Sequence, residues 1–430
     1  MAKKRYVQVG VGTRAELFYN AIASTFSETS EIVAFCDTNR GRLEYARDVL
    51  KERYNYPEVA LYDASEFDKM IEEQKPDAVI VTSIDRTHHK YIVRAMELGC
   101  DVVSEKPMTI DADKCKEIMD AIKRTGKNLR VTFNYRYAPH NSKIRELIMN
   151  DVIGEVKSVH FEWMLCTAHG GDYFRRWHRD KRNSGGLFVH KATHHFDLVN
   201  FWLGTRPKQV FAYGDLLYYG RENAEKRGIT KFYYRGTGSE NAEGDRFALD
   251  LTKNENFKRI YYDNEKYDGY LRDMSVFGDG ISIEDTMGAV VRYENGAIMS
   301  YSLTAFSPRE GFRAVFTGTK GRLEADISEG VYINGAGDKS KEGATEKELI
   351  VVYPLFGTPY KVDFKAGEGG HGGGDTVLLN DIFGVPEYDP LNRVASHIDG
   401  AMSIMTGIAA NESMKQGMPV NIKDLINIDE

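Results

Sequence analysis

The sequence predicts an α/β protein. A Rossmann dinucleotide-binding domain is expected over residues 1–133, and a strand-rich second domain with an antiparallel-leaning sheet over 134–430. Three observations predict it. A G-x-G-x-x-A turn joins the first strand to the first helix, and the next strand ends on an acid. Strand and helix patterns then alternate as far as Phe133. Beyond Pro139 that rhythm stops and short strand patterns accumulate.

Composition narrows the function classes. The 430 residues are 42% hydrophobic and 28% charged, an ordinary globular profile with room for two or three domains. A formal charge of -7 argues against a nucleic-acid or acidic-membrane binder, which carries a basic excess. Cys36, Cys100, Cys115 and Cys166 show no CxxC pair, so they read as reduced thiols of a cytoplasmic protein. A strand pattern begins within a few residues of Met1, and no apolar run approaches ~18 residues, so neither a signal peptide nor a membrane span is expected.

Residues 5–9 read as a short buried strand, and Gly10-Val11-Gly12-Thr13-Arg14-Ala15 as the turn into a helix running through Ala23. Gly10 permits the tight turn, Gly12 lets a pyrophosphate approach the backbone, and Ala15 keeps helix and strand close. Thr13 and Arg14 open the helix whose N-terminus faces the phosphates. The strand 31–35 leads to Asp37, where the fingerprint needs a carboxylate for the adenosine ribose. Asp37 favours NAD because its charge repels a 2′-phosphate, while nearby Arg40 leaves NADP as the alternative.

Helices are expected over 40–53 and 64–73, then a strand over 78–82. Ser83, Asp85 and His88 follow at that strand's carboxyl end, where open α/β sheets place ligands, so Ser83 and His88 are candidate cofactor contacts. The plainer reading has residues 85–87 capping the helix 87–98. The strand 101–104 runs into Glu105-Lys106-Pro107. A lysine at a strand's carboxyl end, with a proline fixing the turn, makes a preorganised acid or base; most lysines are simply solvated. A helix over 111–124 and a strand over 128–133 lead out through Asn134-Tyr135-Arg136-Tyr137.

In the second domain, residues 184–203 form an apparent helix carrying three histidines, a lysine and an aspartate. At about 100° per residue, Phe188, Ala192, Phe196, Val199 and Leu203 share an apolar arc, while His190, His194 and Asp197 share a narrow arc opposite. The helix thus reads as having a buried back and a polar front. Gly185 and Gly186 let backbone or ligand come close. This face is a candidate catalytic or binding surface; the bland alternative is a solvated helix whose histidines do nothing.

Taken together, the Gly10-Val11-Gly12 turn, Glu105-Lys106-Pro107, the Asn134-Tyr135-Arg136-Tyr137 exit, and Gly185-Gly186 followed by His194 and Asp197 resemble the Gfo/Idh/MocA oxidoreductases. The resemblance covers nearly the whole chain. It implies a C-terminal α/β domain whose open mixed sheet carries the substrate pocket and the interface of a homodimer or homotetramer. It also implies that Lys106 and His194 line the reaction centre, with Glu105 beside the cofactor. The activity implied is oxidation or reduction of a carbinol or ketone of a sugar, inositol or glycoside; some relatives use the redox step transiently, retaining NAD, to cleave or epimerise glycosides.

One departure bears on mechanism. Many relatives carry aspartate four residues before the helix histidine, whereas this chain has His190 followed by Lys191. His190 is then a candidate extra base. The histidines with Asp197 also admit a divalent metal as an alternative, although neutral imidazoles serve equally as hydroxyl partners and no metal is the preferred reading. Upstream, the basic run 175–182 with Trp177 and Arg179 suits an anionic group on the substrate, or is a solvated loop. Tyr135, Arg136, Lys191 and Asp197 are further candidate substrate contacts.

The remaining strands are expected over 156–165, 209–217, 289–293, 297–303, 312–317 and 349–353. A tyrosine-rich insertion over about 218–276 reads as a lid, a subunit contact or aromatic padding. The glycine loop 367–375 offers His371 to a substrate, or is a linker. A helix over 392–416 closes the chain. The expected protein is an NAD-dependent oxidoreductase of a small sugar-like substrate. The alternatives are a redox-cycling glycosidase or epimerase that retains NAD and, from another class, a non-catalytic NAD-binding regulator.

Overall fold

The computed structural model describes residues 2–331, 348–365, 373–385 and 388–427. The chain forms two compact units. The first comprises Met1–Phe133, Asp250–Arg272 and Thr376–Ala401, and the second Asn134–Leu249, Asp273–Asp375 and Met402–Glu430. One break between the units follows Phe133. Two later segments, assigned by the sequence to the second domain, join the first unit instead; one of them is the middle of the tyrosine-rich insertion.

In the first unit β1 (Lys4–Val9), β2 (Ser30–Asp37), β3 (Ala60–Asp63), β4 (Ala78–Val81), β5 (Asp101–Ser104) and β6 (Leu129–Val131) form a sheet in the order β3-β2-β1-β4-β5-β6. Every pairing is parallel. Helices between the strands cover both faces, which is why β4, Ala-Val-Ile-Val, is buried at every residue. The order reverses between β1 and β4, and at such a switch point ligands enter beside the carboxyl ends of the strands. Gly10, with φ +83°, leaves β1 there; a Cβ on it would stand 2.4 Å from Ser83 Cα, so only glycine lets the exits of β1 and β4 pass so closely.

The second unit is built on β7 (Val156–Cys166), β8 (Pro207–Asp215), β9 (Thr286–Tyr293), β10 (Ile298–Ser307), β11 (Arg309–Gly318), β12 (Gly321–Val331), β13 (Glu348–Pro354), β14 (Tyr360–Lys361) and β15 (Val420–Asn421). Among the described residues these make one sheet in the order β14-β13-β12-β11-β7-β10-β9-β8-β15. β7 and β10 run parallel and the other neighbours antiparallel, so the sheet is open, mixed and largely antiparallel. Along β7, Val159, Phe161, Trp163 and Leu165 are buried, with exposed His160 and Glu162 between them. The buried face receives the helix Ala192–Leu203: Trp202 meets Phe161 edge-on at 5.7 Å and His195 stacks on Trp163 at 4.1 Å.

The expected helix 184–203 is two pieces, Leu187–His190 and Ala192–Leu203, joined at Lys191. Gly185 and Gly186 both take positive φ, +72° and +77°, to turn the chain into the first piece. Behind it the helix His397–Gln416 packs closely, with Thr193 Oγ1 3.0 Å from Ser403 Oγ and Asn411 Nδ2 donating to Gly185 O. The four cysteines are free, buried thiols. No helix among the described residues is long and apolar enough to cross a membrane.

Candidate active site

In the first unit the glycine turn, the exit of β4 and the Glu105-Lys106-Pro107 triplet form one hydrogen-bonded block. Arg14 Nε donates to Glu105 Oε1 at 2.6 Å, and Glu105 Oε2 accepts the backbone N–H of Lys106 at 3.0 Å. The glutamate of the triplet is therefore a bracket that ties the lysine's backbone to the glycine turn. Lys106 is half-buried. His88 holds the other side, with Nδ1 2.8 Å from Pro107 O and Nε2 2.9 Å from Ser83 O. Burial keeps its pKa below the ordinary imidazole value, against the pull of those two carbonyls. His88, expected as a cofactor contact, is 1% exposed with both ring nitrogens engaged by backbone, so the structure makes it a staple under the site.

Asp37 sits at the end of β2 as expected. Its Oδ2 accepts Val11 N–H at 2.8 Å; its Oδ1 accepts Asn39 N–H at 2.8 Å and lies 3.2 Å from Arg42 Nη2. The guanidinium at this corner is therefore Arg42. Arg40, expected in that place, opens the helix Arg40–Tyr54 and pairs with Glu44 at 2.8 Å one turn on.

These residues fit a dinucleotide. A Cβ on Gly12 would meet only Tyr261 Oη, at 3.7 Å, so space over the turn is open to a ligand up to that hydroxyl. Thr13 N–H lies at the helix start, where phosphate binds, and Asp37 stands at the ribose corner.

In the second unit the histidines lie among aromatic rings, and the polar front is enclosed rather than solvated, against the bland alternative. His190 is 8% exposed; its ring packs edge-on against His178 at 4.2 Å and Tyr173 at 5.3 Å. His194 packs edge-on against Tyr135 at 4.7 Å. Between them Lys191, 2% exposed, points its ammonium over the faces of Trp163 at 4.7 Å and Tyr135 at 5.3 Å. Burial lowers the Lys191 pKa, with the charges of Glu310 and Glu329 opposing. Burial together with those carboxylates pushes the Tyr135 phenol far up, so it stays protonated and donates to Glu329 Oε2 at 3.1 Å.

Beside this cluster runs a chain the sequence reading missed. Glu310 Oε1 is 3.0 Å from His169 Nδ1, and His169 Nε2 is 3.0 Å from Tyr173 Oη. Burial opposes the Glu310 charge, but His169, Lys191 and the Cys166 N–H outweigh it and hold the pKa below the usual carboxylate range. A carboxylate, an imidazole and a phenol in series can pass a proton along two bonds. The available signal was the i, i+4 spacing of His169 and Tyr173 on the helix Thr167–Arg175, a spacing too common to single out.

Other candidates prove to be structural. Arg136 and Asp197 form a buried two-pronged ion pair at 2.8 and 2.5 Å, 2% and 1% exposed. Arg179 donates to Ser275 O and Asp279 O, anchoring the far end of the insertion. Its neighbours each have an acidic partner: Arg175 and Arg176 share Asp172, Lys181 meets Glu284 and Arg182 meets Asp180. Trp177 stacks on His178 at 3.5 Å, packing the loop. His195, third of the histidines, meets Tyr301 Oη at 2.7 Å in the core, so the histidines do not converge with Asp197 on one point. Among the described residues no group of three or more His, Cys, Asp or Glu could hold a metal ion. His371 lies outside the described residues.

The parallel sheet with its glycine turn and acid-ended second strand, joined in one chain to an open mixed sheet, places the protein in the Rossmann class of two-domain nucleotide-binding proteins. Residues 4–133 match the family described as oxidoreductase, NAD-binding Rossmann fold, and residues 145–422 match the C-terminal alpha/beta domain of the same family. The chain belongs to the Gfo/Idh/MocA oxidoreductase family. It is 36% identical to the oxidoreductase YteT of Bacillus subtilis (strain 168), over 99% of both chains. It is 32% identical to the D-glucoside 3-dehydrogenase of Escherichia coli (strain K12), over 46% of this chain and 54% of that one. The WlbA dehydrogenase of Bordetella pertussis, solved with NADH and UDP-GlcNAcA, shares the fold at a TM-score of 0.65 and 19% identity, over 98% of this chain and 99% of that one.

Proposed function

We propose that the protein is an NAD-dependent oxidoreductase acting on a carbinol or ketone carbon of a sugar, inositol or glycoside. The observation that carries this reading is the Arg14–Glu105–Lys106 bracket, which fixes a lysine backbone to the dinucleotide turn of a chain from this family. Gly10, Gly12, Thr13 and Asp37 would hold the dinucleotide, which supplies the hydride acceptor or donor. Lys106 takes the hydroxyl proton as the carbinol carbon is oxidised, or returns it on reduction, and His194 serves as a hydrogen-bonding imidazole for a substrate hydroxyl. Tyr135 and Lys191 shape the sugar-binding wall. Likeness to a D-glucoside 3-dehydrogenase supports a polyhydroxylated ring as substrate. The test is to titrate the purified protein with sugars, inositols and glycosides and follow nicotinamide absorbance. Failure of every polyol to change the redox state overturns the reading.

A second reading, a glycosidase or epimerase that oxidises transiently and retains NAD, is favoured by His190 in the usual aspartate position and by the Glu310–His169–Tyr173 chain, which offers an additional base. Product formed without net NADH release separates it from the first.

Cofactor choice follows from Asp37. NADH is expected to bind more tightly than NADPH, since a 2′-phosphate meets the carboxylate while Arg42 is held by it. Asp37→Ala is expected to narrow the preference about tenfold, the scale of one charged hydrogen bond. Fluorescence titration giving NADPH as the tighter ligand of the unmodified protein overturns this.

Lys191 carries a pH signature. Its folded pKa lies below the ordinary 10.5, so the folded chain binds its proton less readily than the unfolded chain does. Stability from this group is therefore lowest below the folded pKa and rises with pH up to the ordinary value. Lys191→Met is expected to flatten that rise and to raise the melting temperature at pH 7, while lowering turnover. Thermal melts from pH 7 to 10 check it; a lower melting temperature at pH 7 makes Lys191 a net stabiliser.

A further inference from the structure

The middle of the tyrosine-rich insertion, Asp250–Arg272, belongs to the first unit and is seated on the two corners where a dinucleotide's pyrophosphate and adenosine ribose go. At the phosphate corner, Tyr261 Oη accepts Thr13 N–H at 3.2 Å and lies 2.6 Å from Thr13 Oγ1. With Thr13 Oγ1 donating, the phenol's own proton is left to be given to an anionic oxygen. At the ribose corner, Asn39 Nδ2 donates to Asn264 O at 3.0 Å, and Arg42 bridges Asp37, at 3.2 Å, to Asp268, at 2.5 Å.

The seat is built for this segment. A Cβ on Gly41 would fall 1.8 Å from Asn264 Oδ1 and 2.8 Å from Tyr267 Cε2, so any larger residue there must displace the side chains of this segment. Ile260, 2% exposed, belongs to the same apolar cluster as Leu43, Ala46 and Leu50. The Tyr261 ring is held by Tyr270 edge-on at 6.0 Å and by Arg272, whose guanidinium is 5.8 Å from the ring centre. A surface insertion needs none of these contacts at the nucleotide fingerprint itself.

We propose that Asp250–Arg272 is a clasp on the adenosine and pyrophosphate half of the dinucleotide site, with Tyr261 a phosphate-binding hydroxyl, so that the dinucleotide exchanges slowly and serves as a retained cofactor. This rests on the NAD reading above and deepens it. Release requires the Tyr261 and Asp268 contacts to open, whereas a bare Rossmann cleft lets the nucleotide diffuse away. A retained cofactor must be returned to its starting redox state in place, either within one catalytic cycle or by a second substrate.

The test loads the full-length protein with NADH, chases it with excess NAD and follows the loss of nicotinamide fluorescence by stopped flow. Tyr261→Phe removes one hydroxyl, and Asp268→Asn weakens the Arg42 bridge while keeping shape. Each is expected to raise the NADH dissociation rate roughly tenfold or more, with the association rate changed far less. Dissociation rates equal to the unmodified protein's in both variants overturn the clasp alone. So does tighter binding by Tyr261→Phe, which makes the tyrosine a competitor of the phosphate. Absence of dinucleotide binding by the unmodified protein overturns the NAD reading, and the clasp with it.

Discussion

Lys106→Met is expected to leave NADH affinity nearly intact and to cut kcat by about 10²-fold or more on a substrate the unmodified protein turns over. The two effects separate because the backbone at Lys106 is held by groups the substitution leaves alone. Glu105 accepts its N–H, Arg14 fixes Glu105, and His88 takes the carbonyl of Pro107. Methionine matches the lysine stem in length and removes only the amine, the group that exchanges the hydroxyl proton. His194→Ala is expected to lose less. Steady-state kinetics with a parallel NADH titration check this. Near-normal turnover by Lys106→Met removes the lysine from the mechanism.

Arg136→Met is expected to destabilise the protein by ~3–5 kcal/mol, because it removes a two-pronged cationic partner from a carboxylate that is 1% exposed. The Arg136 guanidinium also lies 5.0 Å from the Phe201 ring centre, so the site it vacates is apolar as well as ionic. Replacing both partners, Arg136→Met with Asp197→Leu, is expected to recover much of the loss, since the desolvation cost of the buried carboxylate disappears. Urea denaturation of the two variants measures it. A single variant within ~1 kcal/mol of the unmodified protein means that water or another group reaches Asp197, and the pair is then not the buried lock described above.

Much of the fold was legible because its determinants are local. The turn after β1, the acid ending β2 and the lysine after β5 each lie within a few residues of the strand that positions them. Strand periodicity likewise marked β7 to β11 and β13 to within a few residues at most ends, since alternate residues of a sheet with one buried face must alternate in character, but it did not mark β12. The helix after Gly186 was legible as a helix, but its exposure was not. A 100° periodicity separates polar from apolar residues; whether the polar arc meets water or a wall of Tyr135, Tyr173 and His178 depends on other parts of the chain.

The sequence by itself determined the class of this protein: the Rossmann architecture, the family motifs, and Gly10, Asp37 and Lys106 as the residues around which the first unit is arranged. Only the tertiary structure decided which charged side chains remain for chemistry. Arg136 is paired with Asp197, 61 residues on; Arg42, and not Arg40, stands at the ribose corner and is shared with Asp268, 226 residues on; Glu310 reaches His169 across 141 residues. A local motif reflects backbone geometry, which nearest neighbours dictate. A buried charge must find its counter-charge wherever the fold brings one, and that pairing leaves no short-range trace in the sequence.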